Sequence, residues 1–341
     1  MNNIDLVVPG LLGPFPDQIP GYIQQQLLQP EFRLINQWLS RAKTGGLPVT
    51  SFYETLVYLI HPSNKLTLCQ LSAQYDGIDI SQGYYYRVDP VHFKAESDHA
   101  VLLGAGLLLP ELYETHDLIA SFNAHFLEDK ISLHATDPNR WYLKCDRALE
   151  LEFNALDYSL GRDIKHFMPT GKDALWWRKI INEAQMLFFQ HEINQSREAK
   201  GQLGINGLWL WDMTFDNYQT RKNTHSSQQL VANDAFAAAL AKQAGLLVEP
   251  VTDVDAIKKN STVVLDQLYE SVCYADVDAW FQALKCFCNE SFPYITNQLK
   301  TGEIDELNIF PCDGRELKIK RMSLLKFWKP SKPLYKHISV L

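Results

Sequence analysis

Long apolar runs and basic clusters are both missing from this 341-residue chain. No stretch approaches the roughly 18 apolar residues that a membrane-spanning helix needs. The apolar start MNNIDLVVPGLLGPF has no basic segment before it, so it does not look like a secretory signal. The formal net charge is -8, and the electrostatic footprint of a nucleic-acid-binding protein is absent. We therefore expect a cytoplasmic protein that binds neither membranes nor nucleic acids.

Cysteine and the common catalytic motifs are also scarce. Of the six cysteines, only Cys286 and Cys288 lie close together, and no second pair completes a zinc site. We expect reduced and mostly buried thiols. The chain has no GxSxG elbow, no GxGxxG loop, no phosphate loop ending in GK[ST] and no HExxH pair. Several large enzyme classes are thereby excluded as direct templates.

What the chain does contain is the pattern of an α/β core. Hydrophobic residues make up 46% of it, and residues 4–10, IDLVVPG, predict a buried first strand. A helix is predicted over residues 51–60, where Ser51 and Glu54 have the spacing of a capping box. A helix and a strand are predicted over NDAFAAALAKQAG and LLVEPV, and a hairpin at Asp313-Gly314. This order favours a mostly parallel sheet flanked by helices.

The pattern changes between residues 83 and 165. Strands are predicted over GYYYRVDPVHF and HAVLLGAGLLL, a helix over ELYETHDLIASFNAHF, and strands over KISLHA and RWYLKC. We expect residues 83–165 to form a small α+β insertion between two parts of the core, residues 1–82 and 166–341. Residues 221–229, RKNTHSSQQ, are predicted to form a flexible loop.

Asp89 and His92 lie in the segment DPVHFKAESDH, which raises the question of a metal site. In a regular strand the two side chains face opposite sides, although Pro90 could interrupt the strand and bring them together. A metal site needs three or four converging ligands, so an edge-strand proline beside surface charges is the preferred interpretation. Both residues remain candidates for a ligand pocket.

The segment HEINQSREAKGQLGINGLWLWD, residues 191–212, gives the strongest site signal. If one helix runs through residues 183–197, Asn194 and Arg197 share an arc of its polar surface. Arg197 would then offer a planar fork to a carboxylate or phosphate, with the amides of Asn194 and Asn206 beside it. Equally favoured is a structural interpretation, in which Asn194 caps a new helix and Arg197 pairs with an acid.

The end of that segment, GLWLWD, is an apolar run of strand length followed by an acid. Trp209 and Trp211 fall on one face of the strand and predict a core or a pocket wall. Open α/β sheets bind ligands beyond the carboxyl ends of their parallel strands. If GLWLW is such a strand, Asp212 lies at that edge and is a candidate site residue.

The same segment resembles a known family. It is similar to the pattern H-x-x-N-x-x-R-x-x-x-G-x-x-x-x-N-x-x-W-L-W-G of the archaeal-type cofactor-independent phosphoglycerate mutases of the alkaline-phosphatase superfamily. The matching residues are His191, Asn194, Arg197, Gly201, Asn206, Trp209 and Trp211, whereas Asp212 stands where the pattern has glycine. Much of residues 80–330, including RVDPVHF, FNAHF and LLKFWKP, resembles RpfE-type proteins, a bacterial group regarded as regulatory or phosphoglycerate-mutase-like.

The resemblance implies an alkaline-phosphatase-like core whose two-metal site has changed. The mutases hold two divalent ions with an early Asp-Gly motif, a serine or threonine nucleophile and a C-terminal segment rich in Asp and His. Here the first strand runs into PGLLGP, and the segment VVLDQLYESVCYADVDAW contains no histidine. Two-metal phosphoryl transfer needs ions at both the attacking and the leaving oxygen. The resemblance therefore favours a ligand-binding or regulatory protein that carries no metal cofactor.

Two alternatives stay open. The first is an active metal-dependent phosphomutase or phosphatase, which would use Mn²⁺ or Zn²⁺ and carboxylates such as Asp89 and Asp266. The second is an interaction module for a protein partner, indicated by eight tryptophans and the tail FWKPSKPLY, although tryptophans more often serve cores.

The ligand expected at the candidate site is a small anionic or phosphorylated molecule, and no catalytic residue is assigned. The candidate ligand-binding residues are His191, Asn194, Arg197, Asn206, Trp211, Asp212, Asp89 and His92.

Overall fold

The computed structural model describes residues 2–15, 18–60, 67–215, 227–252, 257–325 and 328–338. The strands are β1 Asn3–Val7, β2 Lys43–Gly46, β3 Tyr84–Ala95, β4 Ala100–Leu103, β5 Ile131–Asp137, β6 Arg140–Cys145, β7 Leu151–Glu152, β8 Thr170–Gly171, β9 Gly207–Trp211, β10 Gln229–Val231, β11 Leu247–Glu249, β12 Ser261–Val264, β13 Glu306–Phe310 and β14 Arg315–Lys320.

The helices are α1 Gly21–Gln26, α2 Arg33–Arg41, α3 Phe52–Ile60, α4 Leu68–Tyr75, α5 Ala105–Leu108, α6 Leu112–His125, α7 Leu156–Ser159, α8 Ala174–Phe189, α9 Glu192–Ala199, α10 Ala235–Gln243, α11 Tyr269–Cys273, α12 Val277–Asn289 and α13 Ser291–Thr301. Among the described residues, no helix is long and apolar enough to cross a membrane. All six cysteines are free, and four of them are buried.

The chain divides into two compact units. Unit 1 comprises residues 1–64 and 216–341, and unit 2 comprises residues 65–215. The predicted insertion of residues 83–165 is not confirmed with those bounds, because unit 2 also takes in α4 on one side and α8, α9 and β9 on the other. Pairing of β9 with β3 explains the larger unit, since it ties residues 207–211 to the insertion.

Unit 1 is built on a seven-stranded sheet in the order β11-β10-β12-β1-β13-β14-β2. The first five strands run parallel, and β14 and β2 are antiparallel additions at one edge. Every residue of β1 and β13 is buried, as expected for central strands covered on both faces. The predicted mostly parallel α/β sheet flanked by helices is confirmed.

Local sequence signals in unit 1 predict its turns and caps well. Ser51 Oγ accepts a hydrogen bond from the backbone N–H of Glu54 at 3.3 Å, and Glu54 Oε2 accepts from the Ser51 N–H at 3.2 Å, so the capping box is confirmed. The β13-β14 hairpin forms at Asp313-Gly314, where Gly314 has a φ of +87° that favours glycine. Residues 221–226 of the predicted flexible loop lie outside the described residues.

Unit 2 contains an antiparallel sheet in the order β4-β3-β6-β5, with β9 added along β3. The predicted succession of two strands, a helix and two strands is present as β3, β4, α6, β5 and β6. The strand predicted over HAVLLGAGLLL ends at Leu103, and α5 follows it. The parallel direction considered for β9 is wrong, because Asp89 pairs with Trp209 in an antiparallel register. All five residues of β9 are buried, and a fully apolar strand carries no sequence signal for its direction.

Candidate functional site

The segment 191–212 does not begin inside one long helix. Helix α8 ends at Phe189, and His191, in an extended conformation, is the N-cap of α9. Its Nδ1 accepts a hydrogen bond from the Ile193 N–H at 3.2 Å, so the proton lies on Nε2, which is 2.9 Å from Ser121 Oγ. The single helix considered for residues 183–197 is therefore not present, and His191 caps and orients α9.

Asn194 joins α9 to the loop that precedes β9. Its Nδ2 donates to the backbone oxygens of Phe188 at 2.8 Å and Ile205 at 2.9 Å, while its Oδ1 accepts from the Ile205 N–H at 2.7 Å. The predicted capping role belongs to His191, three residues earlier. With these bonds the buried amide of Asn194 fixes the loop conformation.

Arg197 is the buried centre of the same region, with a side chain 1% exposed. Nε donates to the Leu203 carbonyl at 2.8 Å, one terminal nitrogen donates to Glu114 Oε2 at 2.5 Å, and the other donates to the Leu108 carbonyl. Arg197 thus pairs with an acid, as the structural interpretation predicts. The guanidinium holds α9, α6 and the loop together and does not open as a fork towards a ligand.

Asn206 and His92 connect this loop to strand β3. The Oδ1 of Asn206 accepts from the Phe93 N–H at 2.7 Å, and its Nδ2 donates to the Phe93 carbonyl at 3.2 Å. His92 Nδ1 lies 2.8 Å from the Gly204 carbonyl, which requires that Nδ1 carry the proton. Nε2 of His92 is then a hydrogen-bond acceptor.

A cavity of about 530 Å³ lies between these elements of unit 2. His92 contributes to it from β3, Phe189 and Gln190 from the end of α8, Glu198 from α9, and Gln202 from the loop. Asn194 and Asn206 form part of its wall with amides that are already hydrogen-bonded. Of the eight predicted site residues, three therefore reach this cavity: His92, Asn194 and Asn206.

Asp89 and Trp211 belong to a separate buried cluster. Asp89 Oδ1 accepts from Arg87 Nε at 2.5 Å, and its Oδ2 accepts from Trp211 Nε1 at 2.8 Å. The Arg87 guanidinium lies 5.6 Å from the Trp211 ring and 5.7 Å from the Tyr142 ring, within reach of a cation–π interaction. Burial raises the pKa of the Asp89 carboxyl, and the Arg87 charge opposes that shift.

The possibility that Pro90 interrupts the strand and brings Asp89 and His92 together is not realised. Strand β3 runs through Pro90 in regular register with β9, so the period-two rule holds. Asp89 contacts the buried cluster, and His92 reaches the cavity.

Asp212 caps a helix within unit 2. Its Oδ1 accepts from the Cys69 N–H at 2.9 Å, in the first turn of α4, and from the Met213 N–H at 2.8 Å. Burial raises the pKa of this carboxyl to about 6, and the same hydrogen bonds act in the opposite direction. Because β9 is antiparallel, Asp212 does not lie at the carboxyl edge of a parallel sheet.

That edge occurs in unit 1, and aromatic side chains cluster there. The ring of Phe52 in α3 lies 4.9 Å from Tyr269 and 5.2 Å from Tyr53, and Tyr53 lies 5.2 Å from Phe236. Tyr269 follows β12 and Phe236 follows β10, so the cluster sits beyond the carboxyl ends of two parallel strands. This cluster has no local sequence signal, because Phe52 and Tyr269 lie 217 positions apart in the chain.

The loop after β1 is also tightly packed and leaves no open space at Gly10. Gly10 has a φ of +80°, and a Cβ there would lie 2.5 Å from Val272 Cγ2 and 3.2 Å from the Leu268 carbonyl. Nearby, Asp266 follows β12, and burial raises the pKa of its carboxyl. Cys312, after β13, is buried, and burial raises the pKa of its thiol. Within the described ranges, no group of three or more His, Cys, Asp or Glu side chains is placed to hold a metal ion.

Comparison with known proteins gives similarity at the level of structure only. No model of a known protein family matches the sequence, and no curated protein is detectably similar to it. A cofactor-independent phosphoglycerate mutase from Thermoplasma acidophilum DSM 1728 is similar at 16% identity and a TM-score of 0.37, over 94% of this chain and 89% of the other. The PH0037 protein from Pyrococcus horikoshii is similar at 13% identity and a TM-score of 0.47, over 94% and 87%.

Proposed function

We propose that this chain is a cytoplasmic, phosphoglycerate-mutase-like protein of the RpfE type that lacks an intact dimetal site and acts by binding a ligand in a regulatory role. The observation that carries the proposal is the packing around Gly10. A Cβ at this position would lie 2.5 Å from Val272 Cγ2, so α11 leaves no room for a side chain at position 10, three residues past the end of β1. The residue before it is Pro9, which offers no metal ligand from its side chain. A metal-ligating carboxylate has no place there.

Two other carboxylates near the sheet edge support the same proposal because they already accept hydrogen bonds from the protein. Asp313 accepts from Arg315 Nε at 2.8 Å, and Asp234 caps α10 by accepting from the Ala237 N–H at 2.7 Å. Asp266 is half-buried, and among the described residues it is not part of any group of three or more His, Cys, Asp or Glu side chains that could hold a metal ion. Two-metal catalysis needs several ligands on ions roughly 3.5–4 Å apart, which one carboxylate does not supply.

The aromatic cluster around Phe52 also supports a loss of phosphoryl-transfer chemistry. Phe52 is 2% exposed and Phe236 is 4% exposed, so apolar rings fill space where open α/β sheets otherwise bind ligands. The Asp89 carboxylate invoked for an active enzyme belongs to unit 2 and is saturated by Arg87 and Trp211.

The proposal is tested by turnover of 3-phosphoglycerate and of p-nitrophenyl phosphate, with added Mn²⁺ or Zn²⁺ and with a chelator. Asp266→Asn removes the half-buried carboxylate, and Asp278→Asn, at an exposed position in the first turn of α12, is the matched control. We expect the same background rate for the unaltered chain and both variants, with no effect of chelator. Chelator-sensitive turnover that Asp266→Asn abolishes and Asp278→Asn keeps would establish an active metalloenzyme instead.

A further inference from the structure

We infer that the 530 Å³ cavity of unit 2 is a binding site for an uncharged polyhydroxylated molecule of the sugar or cyclitol class. The inference rests on the proposed ligand-binding role and assigns it a place and a chemistry. This ligand class differs from the anionic ligand that the sequence predicts. That prediction depends on the positive charge of Arg197, whose guanidinium already donates hydrogen bonds to Glu114 and to two backbone carbonyls.

The cavity is shaped in advance by the residues of the 191–212 segment. Asn194 holds both backbone groups of Ile205, Arg197 holds the Leu203 carbonyl, and His92 holds the Gly204 carbonyl. The loop wall is therefore fixed by two buried side chains and one half-buried side chain before any ligand arrives. Its volume falls within the range of small-molecule sites, and a preformed wall lowers the cost of binding.

The polar groups left over in the cavity suit hydroxyl groups. Within the described part of the chain, the side-chain amides of Gln190 and Gln202 and the Nε2 of His92 make no hydrogen bond, although all three residues line the cavity. An amide offers donors and acceptors together, and His92 Nε2 is an acceptor. A hydroxyl group also donates and accepts, so a ligand with several hydroxyls pairs with each of these groups.

The charge of the lining disfavours an anion. Glu198 is the one charged side chain among the described residues that line the cavity, and it is negative. A phosphate would offer only acceptors to a site with a carboxylate beside it, whereas a neutral polyol meets no such repulsion.

An aromatic ring at the rim of the cavity also suits a sugar or cyclitol ligand. Phe189, the last residue of α8, lines the cavity with a side chain 77% exposed. A large apolar ring that points to solvent next to a set of amides provides a flat surface for the C–H face of a sugar or cyclitol ring. Polar edges and one apolar face are the features by which such a molecule is recognised.

The experiment is saturation-transfer-difference NMR, with Kd measured by titration, on the full chain. The probes are methyl α-glucoside, maltose and myo-inositol, with glucose 6-phosphate as the charged comparison. We expect saturation transfer to at least one uncharged probe and weaker binding of the phosphorylated one. Absence of transfer to all three uncharged probes, or tighter binding of glucose 6-phosphate than of methyl α-glucoside, would overturn the inference.

Variants locate the site. His92→Asn keeps a donor for the Gly204 carbonyl and removes Nε2, and Gln202→Ala removes an exposed amide that plays no part in the fold. Each should raise the Kd by about threefold to tenfold, the effect of one lost hydrogen bond. His99→Ala, at an exposed histidine just after the same strand, is the control and should leave the Kd unchanged.

Binding that neither cavity variant alters would place the ligand elsewhere and overturn the assignment. The outcome is separate from that of the turnover assay, because a chain without phosphatase activity can either bind or ignore these probes.

Discussion

Arg197 in α9 and Glu114 in α6 form a buried ion pair, with a nitrogen-to-oxygen distance of 2.5 Å and side chains 1% and 4% exposed. The arginine of the 191–212 segment is thus a structural clamp within unit 2. Glu114 also accepts from the Glu111 N–H at 2.9 Å, so its carboxylate fastens the start of α6 at the same time.

The ion pair predicts a large stability effect for Glu114→Gln. The variant keeps the shape and the bond to the Glu111 N–H but leaves the Arg197 charge buried without a counter-charge. We expect the free energy of unfolding to fall by about 3 kcal/mol in urea titrations.

Glu150→Gln is the matched control for that measurement, because Glu150 and Lys172 form an ion pair with side chains 64% and 79% exposed. Its effect should stay within about 1 kcal/mol. Equal effects of the two substitutions would contradict a clamp at Glu114.

The hydrogen bond from Trp211 to Asp89 predicts a difference between two tryptophans on one strand. Trp211→Phe keeps an aromatic ring and removes the donor to a buried carboxylate at 2.8 Å, which should cost about 2 kcal/mol of unfolding free energy. In Trp209→Phe the lost partner is the Asn154 carbonyl, at 3.4 Å. The second variant should be the more stable of the two, and the reverse order in urea titrations would contradict the assigned bond.

Asp212 predicts a pH dependence of stability. Its pKa rises from 3.8 to about 6 in the folded chain, so between pH 4 and 6 the folded state binds more protons than the unfolded state. The contribution of this group to stability is therefore fully present below about pH 4 and is lost as the pH rises through 6.

The variant Asp212→Asn does not titrate and should lose that part of the pH dependence. Urea titrations at pH 4 and pH 7 should show a smaller drop in unfolding free energy for the variant than for the unaltered chain. An unchanged drop would mean that Asp212 is ionised throughout this range.

The aromatic cluster at the edge of the unit 1 sheet predicts that Phe52 contributes strongly to stability. Phe52→Ala should lower the unfolding free energy by about 3–5 kcal/mol, because it empties a packed site beside Tyr53 and Tyr269. Phe189→Ala, at a ring 77% exposed, should change it by less than about 0.5 kcal/mol. Comparable effects of the two substitutions in urea titrations would argue against tight aromatic packing at the carboxyl edge of the unit 1 sheet.

The sequence predicts most of the element order but not how the elements meet. Capping signals and turn residues act over a few positions, so the box at Ser51 and the hairpin at Asp313-Gly314 are predictable. The direction of β9 is not, since its five buried residues fit either orientation. The break between α8 and α9 is predictable only approximately, because no proline or glycine marks it. A new helix capped at Asn194 is one of the two interpretations, and the observed cap is His191, three residues earlier.

The candidate site was predicted in part. The 191–212 segment does bound a cavity. Its buried members Asn194 and Arg197 hold the loop that forms part of the wall, whereas His92, Gln190 and Gln202 line the cavity and are the proposed ligand contacts. No sequence signal separates an arginine that binds a ligand from one that meets Glu114, 83 positions away. The pairing depends on how α6 and α9 pack together.

The central proposal is that the chain does not hold a pair of catalytic metal ions. Its most direct test is elemental analysis of protein purified without chelator and then equilibrated with Mn²⁺ and Zn²⁺, with unbound metal removed before measurement. The account predicts far less than one equivalent of either metal per chain. Two tightly held equivalents, reduced by Asp266→Asn, would contradict it.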